Sequence, residues 1–191
     1  LYSSAASDVY KRQVSTQLQY ARQAARSIEI LPPTAVQVNL NYGGMARLVA
    51  YEMDRPTISP GERLRVNLYW QPLARMERDL VSYVHLTDRV ANVIGQASGV
   101  PAAGQSPTTS WEPGQIVTDT YTVTVDPATQ APLVAKIVAG LFDPQTHEFV
   151  KAVDAAGQPA DSTLAEMKVI PSAWPSASPN HPLNADFAGL I

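Results

Sequence analysis

Leu64-Arg65-Val66-Asn67-Leu68-Tyr69-Trp70-Gln71 decides the fold. Leu64, Val66, Leu68 and Trp70 take every second position, and Arg65, Asn67, Tyr69 and Gln71 take the positions between. Side chains of an extended chain point to opposite faces in turn, so this stretch is a strand with one buried face and one solvated face. The same period recurs along the chain. Val117, Asp119, Tyr121, Val123 and Val125 alternate with four threonines, Thr118, Thr120, Thr122 and Thr124, which suit a solvated strand face. Leu80, Ser82, Val84 and Leu86 form one face of a further strand, with Val81, Tyr83 and His85 on the other. Ala135, Ile137, Ala139 and Leu141 line one side of the most apolar strand, Leu133 to Phe142.

Working outward, Arg47–Met53, Val90–Gln96, Phe149–Val153 and Thr163–Ile170 complete a set of about eight strands. Turn residues punctuate them: Ser59-Pro60-Gly61-Glu62, Asp88-Arg89, Trp111-Glu112-Pro113-Gly114 and Asp143-Pro144-Gln145-Thr146-His147-Glu148. No long helical segment lies between strands, so a parallel βαβ architecture is excluded. The expected fold is all-β, an antiparallel two-sheet sandwich of immunoglobulin-like or jelly-roll-like type. Trp70, mid-strand on the apolar face, is the expected centre of its core.

Composition narrows the function classes. Apolar residues make up 45% of the 191, an ordinary globular level. The formal net charge is −3 and no basic stripe exists, so nucleic acid is not an expected partner. No apolar run approaches the roughly 18 residues that span a bilayer, so direct membrane insertion of this segment is not expected either. With no Cys, disulfides and thiolate metal sites are excluded.

Five segments are expected. Residues 1–13 include Ser3 to Gln13, which resembles the in-frame translation of a transposase sequencing adapter and is set aside from fold reasoning. Residues 14–35 read as a linker or the remnant of a preceding unit, with Leu18–Ile28 either helical or irregular. Residues 36–171 form the sandwich module. Residues 172–182, rich in Pro and Ser, read as a linker. Residues 183–191 read as the start of a further, truncated unit. Two short echoes support a tandem repeat. Phe187-Ala188-Gly189-Leu190 matches Tyr42-Gly43-Gly44-Met45 at an offset of 145, and Met167–Pro171 matches Ile28–Pro32 at an offset of 139.

The motif series Arg47-Leu48-Val49-Ala50-Tyr51, Pro60-Gly61-Glu62, Leu64 to Gln71, Tyr83-Val84-His85-Leu86, Trp111-Glu112-Pro113-Gly114, Asp119-Thr120-Tyr121 and Gly140-Leu141-Phe142-Asp143-Pro144 covers about residues 38–170. It resembles a bacterial β-sandwich module often found after the membrane-spanning part of glycosyltransferases of the mannosyltransferase type. The resemblance implies an extracytoplasmic position, tethered through an upstream membrane region, and no catalytic residues. Two positions depart from the pattern. Asp88-Arg89-Val90-Ala91 lacks the Gly of a tight primed turn, and His147 stands where the pattern has Gly. His tolerates left-handed geometry better than most residues, so loop shape is affected and the fold is not.

Candidate chemistry is sparse. There is no HExxH, no GxSxG elbow, no GxxxxGK[ST] and no GxGxxG, and no catalytic residue, metal site or cofactor is assigned. Glu62, Asp88, Glu112, Asp143 and Glu148 sit in or beside turns and read as turn formers. Asp119 alternates with Val117 and Tyr121 on an inward face, where a carboxylate needs hydrogen-bond partners. The ligand-binding candidates are Tyr69, Gln71, Tyr83, His85 and Trp111. Tyr69 and Gln71 belong with Asn67 and Arg65 to a polar-aromatic row expected to be solvated or at an interface. Tyr83 and His85 are either a ligand-contacting pair on an exposed face or packed within the sandwich, the second being preferred. Trp111 is either an exposed platform for a sugar or a plug under the long loop Gly99–Ser110, again with the second preferred. The expected role is a non-catalytic structural or spacer unit whose partners are neighbouring domains of the same chain. The alternative is an accessory carbohydrate-binding module of a membrane glycosyltransferase, with glycans as partners.

Overall fold

The computed structural model describes residues 31–173. Residues 1–13, the helical candidate Leu18–Ile28, all of 183–191 and most of 172–182 lie outside the described residues, and so do Phe187–Leu190 of the first repeat echo and Ile28–Ile30 of the second.

The described chain is all-β. It runs β1 (Val36–Tyr42), β2 (Ala46–Met53), β3 (Thr57–Ile58), β4 (Arg63–Pro72), β5 (Val81–Thr87), β6 (Val93–Gly99), β7 (Val117–Thr124), β8 (Leu133–Asp143), β9 (Glu148–Phe149), β10 (Ala152–Val153) and β11 (Thr163–Val169). Among the described residues the only helical element is a three-residue 3-10 turn, Thr108–Ser110. The strands form two facing sheets, ordered β10-β1-β2-β4-β7 and β3-β11-β8-β5-β6, with β9 added beside β8. Every pairing is antiparallel except the short β3–β11 contact, which is parallel. This is the two-sheet sandwich expected from the alternation.

Two details differ from the sequence reading. Val36–Tyr42 is a full strand that the reading left out; it pairs with β2 across a register shift between Gln37 and Leu40. Phe149–Val153, expected as one strand, is split. Phe149 pairs with Phe142 in one sheet, while Ala152 pairs with Tyr42 in the other. The chain crosses between sheets at Val150-Lys151, because Phe149 faces solvent and Ala152 faces the core.

The core lies between the sheets. Leu64, Val66, Leu68 and Trp70 from β4 are fully buried against Val84 and Leu86 from β5 and Ile137, Ala139 and Leu141 from β8. Burial of each such side chain contributes roughly 1.5–3 kcal/mol. A register shift in β2 between Leu48 and Ala50 changes the phase of its alternation, so Tyr51 joins the core and Ala50 lies across from Tyr69 on the outer face. Trp70 packs edge-on to Tyr42, with ring centroids 5.3 Å apart, and against Trp111 at 6.4 Å. Two tyrosines bond across the gap between sheets. Tyr42 Oη donates to the Ala139 carbonyl at 2.8 Å, and Tyr121 Oη donates to the Ser82 carbonyl at 2.9 Å.

Turn chemistry follows the residues. Gly61 takes φ +83° in the Ser59–Glu62 turn, where the Glu62 carboxylate accepts the Ser59 N–H at 2.9 Å. In the β5–β6 turn, which lacks Gly, Ala91 takes φ +66°. The Asp88 carboxylate holds that strained geometry by accepting the N–H groups of Val90 and Asn92 at 2.9 and 2.8 Å. His147 takes φ +57°, the left-handed geometry expected where the pattern carries Gly. Gly95 answers a close approach. A Cβ there would stand 2.7 Å from the Thr124 carbonyl oxygen, where β6 closes one side of the sandwich onto β7.

One carboxylate sits inside the core. Asp119 is fully buried; its Oδ1 accepts the Ala102 N–H at 2.9 Å, and the hydroxyls of Tyr121 and Ser82 are its neighbours. Ala102 and Ala103 both take φ +54°, so Asp119 anchors a left-handed stretch of the Gly99–Ser110 loop. Burial pushes the Asp119 carboxyl above its usual range, against the lowering effect of the Ala102 N–H. The native state therefore holds this proton more tightly than the unfolded chain does. Stability from this group is full below the unfolded pKa, about 4, and is lost as pH rises through the higher folded value.

Three outcomes are expected. Trp70→Ala costs about 3–5 kcal/mol in denaturant unfolding, through loss of the ring and the cavity it leaves. Gly95→Ala costs about 1–3 kcal/mol, because backbone rather than a flexible side chain stands in the way. Asp119→Asn, which keeps the acceptor for Ala102, melts above the wild type at pH 7, and the gap closes by about pH 4. A gap that widens on acidification would mean that the charged carboxylate stabilises the fold.

Candidate functional site

The five predicted ligand residues do not form one site. Strand alternation puts Tyr69 and Gln71 on the outer face of the first sheet, and Tyr83 and His85 on the outer face of the second. Trp111 lies between the sheets.

On the first sheet, Tyr69 stands between Ala50 on β2 and Thr118 on β7. The expectation of a solvated ring is corrected here: Tyr69 is 5% exposed. Its hydroxyl donates to Glu52, further along β2, so the ring lies along the sheet instead of projecting from it. Glu52 also accepts from Thr34 Oγ1, and from Asn67 Nδ2 at 3.2 Å. Hydrogen bonds from Thr34 and Tyr69 hold its carboxyl below the usual range. Burial, with the Glu52 carboxylate beside it, pushes the Tyr69 phenol up to about 12. Thr120 Oγ1 in turn donates to Asn67 Oδ1 at 2.9 Å. Above this network lies an open cavity of about 310 Å³ lined by Thr34, Glu52, Met53, Asp54, Arg65 and Asn67. Its chemistry is hydrogen bonding to a polar molecule, with no ring free to stack. Gln71 is likewise corrected from solvated to buried, opposite Arg47 on β2.

Trp111 is 1% exposed. Its Nε1 donates to the Ser106 carbonyl and to Ser106 Oγ, both at 3.0 Å, and its ring lies against Trp70. Of the two readings of Trp111, the structure shows the plug: the loop folds over it and it is no exposed platform. Thr108 ties the same loop down, accepting the Leu80 N–H through Oγ1 at 2.8 Å.

On the second sheet the predicted pair stays together. The Tyr83 and His85 rings are 4.7 Å apart on β5. The preferred reading, that the pair packs within the sandwich, is corrected: they face outward, since Ser82, Val84 and Leu86 take the inward positions. They are joined by two residues that the sequence reading did not select. Phe149 lies 5.1 Å from Tyr83 and 6.4 Å from His85, and Phe142 lies 5.2 Å from Phe149. Phe149 is 57% exposed, while Tyr83 beneath it is only 6% exposed. Tyr83 stands across from Gly140 on β8; a Cβ at Gly140 would meet the Tyr83 hydroxyl at 2.6 Å, so the glycine makes room for the ring. Burial pushes the His85 imidazole below its ordinary value and favours its neutral form. The only sequence signal for Phe149 was its place at the end of a hairpin loop. Strand register brings it beside Phe142, and the space at Gly140 lets the Tyr83 ring meet it.

Several turn carboxylates are held by backbone N–H groups or by arginines. Asp143 accepts the Gln145 N–H at 2.9 Å and pairs with Arg78 Nε at 2.8 Å. Glu112 pairs with Arg75, and Asp79 accepts from Thr109. His147 lies in the β8–β9 turn, 6.4 Å from Phe142, and His181 is outside the described residues. Among the described residues, no three His, Asp or Glu side chains stand close enough together to hold a metal ion, and no helix is long and apolar enough to cross a membrane.

No family profile matches this chain, and no curated protein matches it. Among solved structures, the C-terminal domain of wzt is similar, with a TM-score of 0.46 and 14% identity over 74% of this chain and 81% of that one. A likeness of this degree says nothing about ligand or activity.

Proposed function

We propose that this chain is a non-catalytic β-sandwich module, a structural or spacer unit of a larger membrane-attached protein on the extracytoplasmic side. One observation carries the reading. Four of the six candidate carboxylates are engaged in holding the fold: Asp88, Asp119 and Asp143 each accept backbone N–H groups, and Glu62 caps its own turn. An acid or base committed in this way is not free to move a proton on a substrate. The membrane setting rests on the motif series from Arg47 to Pro144.

A second reading adds to the first: the unit is an accessory carbohydrate-binding module that positions a glycan for a membrane glycosyltransferase. The cluster of Tyr83, His85, Phe142 and Phe149 on one outer face favours it.

Melting curves of this chain over a panel of oligosaccharides separate the two. A melting temperature that stays flat across the panel is the outcome for a purely structural unit, and a saturable rise with one sugar is the outcome for the second reading. The reading frame upstream is expected to encode membrane-spanning helices. One that encodes only water-soluble domains would overturn the membrane setting.

A further inference from the structure

We propose that Phe149, with Tyr83, His85 and Phe142 around it, forms a platform on the outer face of the second sheet for the apolar face of an uncharged pyranose ring. The inference rests on the carbohydrate-binding reading and gives it a site and a ligand class.

Three features of the cluster point to a sugar. The first is the ring geometry. Phe149 is more than half exposed, and its neighbours meet it edge-on or tilted, at 73° for Tyr83, 84° for His85 and 59° for Phe142. Aromatic faces carry partial negative charge, so they attract the C–H groups that line one side of a pyranose. The second is the polar rim. Across from His85 stands Gln96, and across from Tyr83 stands Ser98, both exposed on β6. Their amide and hydroxyl groups, with a neutral imidazole, can donate to and accept from sugar hydroxyls. None of these six residues carries a charge at neutral pH, which fits a neutral sugar better than an acidic one. The third is rigidity. The turn that delivers Phe149 is held by Asp143, which accepts from Gln145 and Thr146 and pairs with Arg78. A platform already in place spends little of its affinity on ordering.

Size argues against a stable protein partner on this face. A stable protein interface buries at least about 1,200 Å². The exposed ring of Phe149 does not supply that, whereas it matches the footprint of a single sugar ring.

The test is titration of this chain with neutral gluco-, galacto- and manno-oligosaccharides and their uronic-acid counterparts, followed by calorimetry and by NMR shift changes. At least one neutral oligosaccharide is expected to bind more tightly than its acidic counterpart and to shift the Phe149 and His85 resonances. Phe149→Ala, a change at an exposed side chain, is expected to weaken that binding about tenfold or more, while Phe149→Tyr retains it. Thr122→Ala, on the opposite sheet, is expected to leave it unchanged. Wild-type affinity in Phe149→Ala would overturn this site while leaving the carbohydrate-binding reading standing. Absence of binding by every neutral sugar would overturn both.

Discussion

The fold depends on Trp70 having a sheet on each side of it. Its ring is too large to be covered by its own sheet, so it is buried only when the second sheet closes over β4 and the Gly99–Ser110 loop folds Trp111 against it. That requirement sets the spacing of the layers. Tyr42 and Tyr121 reach across this gap to carbonyls on the opposite sheet. The buried phenols are thereby satisfied, and the two sheets are fixed in position relative to each other. A hydrophobic contact alone would allow the layers to slide; two directional bonds, given by β1 and β7 to neighbouring positions on β8 and β5, oppose that.

Inward faces were legible in the sequence because a strand repeats every two residues, and one buried face leaves its imprint along the whole strand. Every residue placed inward in β4, β5, β7 and β8 is inward in the structure, including the polar Ser82 and Asp119. Elsewhere the alternation fails for local reasons. The register shift in β2 changes the phase of its pattern, and β1 carries a shift of its own. The stretch from Phe149 to Val153 reads as continuous because a chain crossing from one sheet to another keeps its extended backbone. Only the pairing partners reveal the break.

Outward faces were harder to read. Tyr69 and Gln71 were correctly placed on the outer side, but that side is not uniformly wet. Glu52 gathers three donors and draws the Tyr69 ring down against the sheet. Nothing in the spacing of Glu52 and Tyr69 announces that network, since it depends on which strands are neighbours. The aromatic cluster of the second sheet was half visible. Tyr83 and His85 share one strand, so their proximity follows from their numbering. Phe149 reaches them through the β8–β9 register and through the space that Gly140 leaves for Tyr83, both of which are tertiary facts.

The order in which the chain visits the two layers has a mechanical meaning. β3 leaves the first sheet, β4 returns to it, β5 and β6 leave again, β7 returns, and β9 and β10 belong to opposite layers although only Val150 and Lys151 separate them. Neither layer is encoded by a continuous piece of sequence. No truncation within the module leaves one intact sheet, and no half of it can be exchanged between molecules as a ready-made layer. Prying the layers apart would load the covalent backbone at each crossing, so this unit resists tension as a stitched object and not merely as a glued one.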